Sequence, residues 1–234
     1  MTRPAVQSCP AAPFPFNLVS PASSLHDLSV TQTIDEIADM LSAHLEAVAR
    51  EASRQPGTPV VIALDGRSGA GKSTIAAALL ECLEAVVLSG DDFYAGGTTI
   101  RTDPPHVLAD VCIDWRRQVD ILKALQEAGV ARYQPFDWEA FDGSPAADTI
   151  VLQAKPFIIL EGTYSARPEL RHLTDVLCLV EVSDETRMRR LLAREGAIGD
   201  WEKQWHRAED WYFANLAPND AFDIVISEKG FAKR

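Results

Sequence analysis

Apolar positions along the chain follow two rhythms. Ile34, Ile37, Leu41, Leu45 and Val48 recur at helical spacing, and Thr33 followed by Glu36 three residues on makes a capping box at the start of that helix. Pro56-Gly57 is its stop signal. Val60-Val61-Ile62-Ala63-Leu64 is a short unbroken apolar run between turn residues, the pattern of a strand buried on both faces. The same reading predicts a helix from 72 to about 83, a second buried strand at 85–88, and a helix at 115–128 closed by Gly129. Between the last two lies a polar, Gly- and Pro-containing stretch, 89–110. Further strands are expected at 149–152, 157–160, 176–180 and 224–226, and helices at 184–194 and 200–215. Strands alternating with helices predict an α/β fold with a mainly parallel sheet and right-handed crossovers. No repeat of 20–50 residues interrupts it.

Composition narrows the classes. Hydrophobic residues make up 47% and charged residues 24% of 234, enough for one generous core. Residues 1–30 carry five of the 14 prolines and no sustained period, and are expected to be a mobile extension whose Phe14, Phe16 and Leu18 can dock on the body. Residues 31–234 then form a single domain. Lys plus Arg total 22 against 34 Asp plus Glu, a net charge of −12, so the chain lacks the basic field that nucleic acid or an anionic membrane selects. Cys9, Cys82, Cys112 and Cys178 have neither CxxC nor His-adjacent spacing, which argues against zinc, a redox motif or a disulfide scaffold and favours the cytoplasm. No apolar run approaches 18 residues.

Local chemistry is concentrated in Gly66-Arg67-Ser68-Gly69-Ala70-Gly71-Lys72-Ser73, which matches G-x-x-x-x-G-K-[ST] between a predicted strand and a predicted helix. The glycines let successive N–H groups turn inward on an anion, and the helix adds its positive N-terminal end. Lys72 is expected to reach the outer phosphates of ATP, exposed to them rather than part of the core, and Ser73 to place its hydroxyl on Mg2+. Thr74 extends the phosphate cradle. No N-K-x-D string for guanine is present.

The second strand ends in Asp91-Asp92-Phe93-Tyr94, at the carboxyl edge where open α/β sheets bind ligands. Phosphoryl transfer to an alcohol needs a carboxylate that positions the hydroxyl and takes its proton, and either Asp91 or Asp92 meets that need. Residues 60–74 together with the D-D-F-Y string resemble the uridine kinase branch of P-loop small-molecule kinases, which includes pantothenate kinase and phosphoribulokinase. The resemblance extends over about 60–227. It implies a three-layer P-loop NTPase-type fold with a helical lid at about 187–210, and Asp91 as the catalytic base. Tyr94 would line the acceptor pocket beside Asp92, and Asp114 would bind acceptor hydroxyls. Glu161, at the end of Phe157-Ile158-Ile159-Leu160-Glu161-Gly162, would join Ser73 on the metal. Arg187, Arg190 and Arg194 share one helix face. The resemblance makes them lid arginines, with Arg187 on the nucleotide, Arg190 and Arg194 on the transferring phosphoryl group, and Gly196 and Gly199 as hinges.

Two departures from the branch concern the acceptor. The stretch Arg132-Tyr133-Gln134-Pro135-Phe136-Asp137-Trp138-Glu139 lacks the Thr-His-x-Arg type string that reads a pyrimidine, and Ala95-Gly96-Gly97 stands where an Arg usually follows Tyr. Tyr133, Asp137 and Trp138 are therefore expected to shape a different pocket, with core packing an equal claim on the aromatics. The expectation is an ATP- and Mg2+-dependent kinase acting on a hydroxyl of a small metabolite other than a standard pyrimidine nucleoside. A uridine or cytidine kinase and a regulatory ATPase without a small acceptor are the alternatives.

Overall fold

The computed structural model describes residues 32–51, 57–228 and 230–233. The expected extension at 1–30, with Phe14, Phe16, Leu18 and Cys9, lies outside the described residues. Helix α1 (Ile34–Glu51) opens on the capping box: Thr33 N–H donates to Glu36 at 2.8 Å and Glu36 N–H to Thr33 Oγ1 at 3.2 Å. Strand β1 (Val60–Asp65) leads into α2 (Lys72–Cys82) and β2 (Ala85–Ser89). A 3₁₀ turn at Gly90–Phe93, α3 (Pro105–Val111) and α4 (Trp115–Ala128) follow, and Gly129 closes α4 at φ 73°. Then come β3 (Val130–Tyr133), β4 (Ile150–Gln153), β5 (Phe157–Glu161), β6 (Val176–Val180), α5 (Asp184–Glu195), α6 (Asp200–Asn215), β7 (Ile224–Ser227) and β8 (Gly230–Lys233).

The main sheet has the order β2-β5-β1-β6-β7-β8, parallel except for β8. Period-two alternation divides its side chains between two cores. Ile62, Leu64, Ile159 and Cys178 pack toward α1 and α2, while Val61, Ala63, Ile158 and Leu160 pack toward α3, α4 and α6. This is a three-layer α/β fold with a mainly parallel sheet.

Four elements depart from expectation, one of them β3, a strand not expected from the sequence. The strand expected at 149–152 joins a separate antiparallel hairpin, β3 with β4, because its pairing edge is met by Val130–Tyr133 (Tyr133 opposite Ile150) and not by the main sheet. Helix α3 lies inside the stretch read as irregular; Pro105 occupies its first turn, where a missing N–H costs nothing. Strand β8 is only four residues long, too short for a period to register. Among the described residues no helix is long and apolar enough to cross a membrane.

Candidate active site

The phosphate loop sits at the C-terminal end of β1, centred in the sheet. Gly66 follows the strand at φ 153°; a Cβ there would meet the Val180 carbonyl oxygen at 2.3 Å, so the loop can leave β1 only as glycine. Gly71, at φ 106°, caps α2 in the left-handed region. Helix α2 begins at Lys72, and its N-terminal end faces the loop as a candidate anion cradle, with the Thr74 N–H turned to the Gly71 carbonyl at 3.1 Å.

Lys72 departs from the exposed position expected for it. It is buried at 8% exposure, and Nζ donates to the carbonyls of Gly66 at 2.9 Å and Arg67 at 3.2 Å and to Thr163 Oγ1 at 3.4 Å. The loop's own carbonyls hold the ammonium, because a buried cation needs partners. Ser68 is held from outside the loop. Its N–H donates to Glu209 Oε2 at 3.2 Å, its hydroxyl to Glu209 Oε1, and its carbonyl accepts from Arg187 at 3.4 Å.

Sheet register brings the acids together. Glu161, the last residue of β5, stands opposite Leu64 on β1 and Ser89 on β2. Ser73 Oγ donates to Glu161 Oε1 at 3.2 Å. Burial pushes the Glu161 carboxyl above its ordinary range, opposed by the Lys72 ammonium and raised further by Asp91. Two residues beyond Ser89, Asp91 is exposed at the sheet edge. Its neighbour is turned away: Tyr133 donates to Asp92 Oδ2 at 2.7 Å, and burial raises the Asp92 carboxyl, with the hydrogen bond from Tyr133 opposing. The oxygen donors Ser73 and Glu161 fit a hard cation such as Mg2+. Among the described residues no three His, Cys, Asp or Glu cluster as a metal cage, so phosphate oxygens and water would complete the coordination.

The acceptor-side residues are less open than the sequence suggests. Tyr94 is 8% exposed, its ring lies within 4.9–6.1 Å of Phe136, Trp138, Trp201 and Trp205, and its hydroxyl donates to the Gly97 carbonyl at 2.7 Å. The aromatics pack on one another because each covers its neighbour's apolar face. Tyr133 is buried against Phe93, with ring centroids 4.9 Å apart. Asp137 Oδ1 caps a turn, accepting from the N–H groups of Glu139 and Ala140. Asp114 caps α4 by accepting from Arg117 N–H, and its own N–H reaches the Phe93 carbonyl at 2.8 Å, which places it beside the Asp91–Phe93 turn.

The three arginines of α5 expected to share one face separate. Arg187 is buried between Asp184, the Ser68 carbonyl and Glu209. Arg190 is exposed and donates to the carbonyls of Gly69 and Ala70, at 3.3 and 2.8 Å. Arg194 pairs with Glu195 at the far end of the helix and does not join them. A cavity of about 600 Å³ opens beside the loop, lined by Arg67, Ala70, Ser183, Arg187, Phe213 and Glu228 among others; Asp91, Glu161 and Ser73 do not line it.

Sequence reasoning missed two acids. Asp65 is fully buried and accepts from the N–H groups of Gly66, Tyr164 and Ala166 and from the Tyr212 hydroxyl, tying the loop to the segment after β5 and to α6. Burial raises its carboxyl, opposed by those donors. Its position immediately before Gly66 was a local signal. Glu209 had none, since its partner Ser68 is 141 residues away.

A parallel sheet ending in a phosphate loop, with an exposed carboxylate two strands away, defines a P-loop phosphotransferase. No family model matches the chain. It is 30% identical to a uridine kinase of Geobacillus sp. (strain WCH70) over 153 residues, 58% of this chain and 67% of that one. It is 26% identical to a uridine kinase of Clostridium novyi (strain NT) over 191 residues, 74% and 88%. Among solved structures, a chain from Silicibacter sp. TM1040 that carries the name of a fructose transport system kinase superposes with a TM-score of 0.51 at 26% identity, over 72% of this chain and 88% of that one. The chain belongs to the uridine kinase-like branch of P-loop kinases, and is a nucleotide-using small-molecule kinase.

Proposed function

We propose that the protein transfers the γ-phosphoryl group of ATP, with Mg2+, to a hydroxyl of a small metabolite other than a standard pyrimidine nucleoside. The observation that carries this reading is the convergence of Asp91, Glu161, Ser73 and Lys72 on one sheet edge. The loop amides of Gly69 and Gly71 cradle the phosphates, those of Ala70 and Thr74 join by giving up the Arg67 and Gly71 carbonyls, and Lys72 exchanges the Gly66 and Arg67 carbonyls for phosphate oxygens, while the Gly66 N–H stays on Asp65. Ser73 and Glu161 hold Mg2+, which neutralises charge on the phosphates when bound. Asp91 orients the acceptor hydroxyl and takes its proton as the new P–O bond forms. Arg190, already on the loop, stabilises charge on the transferring group, with Arg187 behind it. Arg194 joins only if the segment at about 187–210 closes as a lid about Gly196 and Gly199.

The acceptor reading rests on what surrounds Asp91. Tyr94, Tyr133 and Asp92 are committed to contacts within the protein, and Asp137 to a turn, which leaves few of the donors that a base-reading pocket needs. Asp114 and Trp138 are half-buried near the Asp91–Phe93 turn and the Tyr94 ring and would contribute to the acceptor pocket, and a structural relative at 26% identity is named for a sugar transport system rather than a nucleoside. Residues 31–234 act as one domain, and the unbridged Cys82, Cys112 and Cys178 are consistent with a reducing cytoplasm. A phosphotransfer screen across nucleosides, sugars, vitamins and short hydroxy acids tests the reading. The expected result is turnover of a non-nucleoside with uridine below a kcat/KM of about 10⁴ M⁻¹s⁻¹. Uridine or cytidine above that value restores the nucleoside-kinase alternative, which the names of the relatives favour.

A further inference from the structure

Helix α6 touches both halves of the reaction. Trp201, Trp205 and Glu209 are spaced by four, so they lie along one face of the helix, and one turn of about 6 Å separates Trp205 from Glu209. At the N-terminal end of that face, Trp205 packs edge-on against Tyr94 and lies so close to Gly96 that a Cβ there would meet the indole at 2.5 Å. Gln204, fully buried beside it, accepts the Arg101 N–H at 2.8 Å. At the other end, Glu209, 3% exposed, takes both the N–H and the hydroxyl of Ser68, and Asp210 takes the Arg67 guanidinium, which also lies 5.1 Å over the Phe213 ring. With the Ser68 carbonyl accepting from Arg187, every polar group of Ser68 is held from outside the loop.

We propose that Glu209 is a positioning residue for phosphoryl transfer: it fixes the ascending limb of the phosphate loop and, through the rigid body of α6, couples nucleotide binding to the acceptor-side segment 94–103. The inference rests on the proposed nucleotide site. Two effects oppose each other here. A carboxylate beside the loop repels phosphate, and ordering the loop in advance favours phosphate by removing conformational freedom before binding. Arg187, 3.9 Å from Glu209 Oε2, offsets the charge, so ordering dominates. The consequence is that an apolar replacement weakens nucleotide binding although it removes a negative charge.

Binding of ADP with Mg2+, measured by calorimetry on the full chain, tests this together with hydrogen exchange of segment 94–103. Glu209→Met removes both acceptors at similar volume and is expected to weaken ADP about tenfold, the loss for hydrogen bonds to a charged group. Glu209→Gln can still accept from the Ser68 N–H and donate to its oxygen, and is expected to stay within about threefold of the parent. Ser68→Ala, which leaves the helix untouched, is expected to fall between them and keeps the test independent of any folding defect in the Met variant. In the parent, saturating ADP slows exchange across 94–103; in Glu209→Met, saturating ADP leaves it unchanged. Equal affinities in the parent, Met and Ala proteins, tighter binding by the Met protein, or slowed exchange in the Met protein equal to the parent's overturns the coupling. Lys72→Ala serves as the control: if it binds ADP normally, the nucleotide site itself is misassigned, whereas its loss of binding beside a normal Met variant refutes Glu209 alone.

Discussion

The nucleotide side and the acceptor side of the cleft are built on different plans. Around the phosphate loop the contacts are polar, and several are long in sequence: Asp65 to Ala166 and Tyr212, Ser73 to Glu161, Ser68 to Glu209. Around residues 93–141 the contacts are largely between rings, with Tyr94 at the centre and Phe136, Trp138 and Phe141 about it. Hydrogen bonds fix direction, and a site that handles a triphosphate needs its donors aimed. Apolar packing is far less directional, so the acceptor side tolerates new residues without disturbing the phosphate loop. The preserved chemistry and the departed acceptor stretch of this chain fall on those two sides.

The contrast can be broken most severely at Asp91. Asp91→Asn is expected to lower kcat by about 10²–10⁴-fold, the range for losing general-base help, with ATP affinity nearly unchanged; steady-state kinetics in the best acceptor checks it. Undiminished turnover would move the base elsewhere. Lys72→Ala is expected to cost about 10²–10³-fold in kcat, comparable to removing one preorganised donor. Because Lys72 is buried and bridges two loop carbonyls, its removal should also lower the melting temperature slightly, which calorimetry measures.

Asp92 sharpens the comparison, since it lies next to the proposed base yet belongs to the packing. Tyr133→Phe leaves the half-buried Asp92 carboxylate without its donor and is expected to cost about 1–3 kcal/mol of stability while changing kcat less than Asp91→Asn does. The smallest effect is the pH dependence. Burial raises the folded-state pKa of Asp92, so the folded protein holds that proton more tightly than the unfolded chain. The contribution is present below the unfolded pKa, near 4 for an ordinary Asp, and is lost as pH rises through the folded value. Asp92→Asn should therefore gain in stability relative to the parent as pH goes from about 4 to 7; denaturant melts at the two pH values decide it, and a difference that shrinks would contradict the assignment.

Much of the fold was legible because it rests on local patterns. The capping box of α1, the apolar runs of β1, β5 and β6, and Gly129 at the end of α4 each carry their signal within a few residues. The elements that escaped were too short for a period, as with β3 and β8, or began on prolines that also mark loops, as with α3. The same division runs through the site. The G-x-x-x-x-G-K-S string specifies its own conformation, since its glycines and the following helix are contiguous, and the D-D-F-Y string marks a strand end by itself. That Asp92 would be taken by Tyr133, Ser68 by Glu209 and Lys72 by carbonyls of its own loop depended on contacts that form only once the strands are in register and α6 has docked. A side chain's partners are set by what burial brings near it and by the cost of leaving a buried polar group unpaired. By itself the sequence determined where the phosphate loop is and which acids end the neighbouring strands. Only the tertiary structure decided which of those acids stays exposed and which is consumed in a hydrogen bond that holds the protein together.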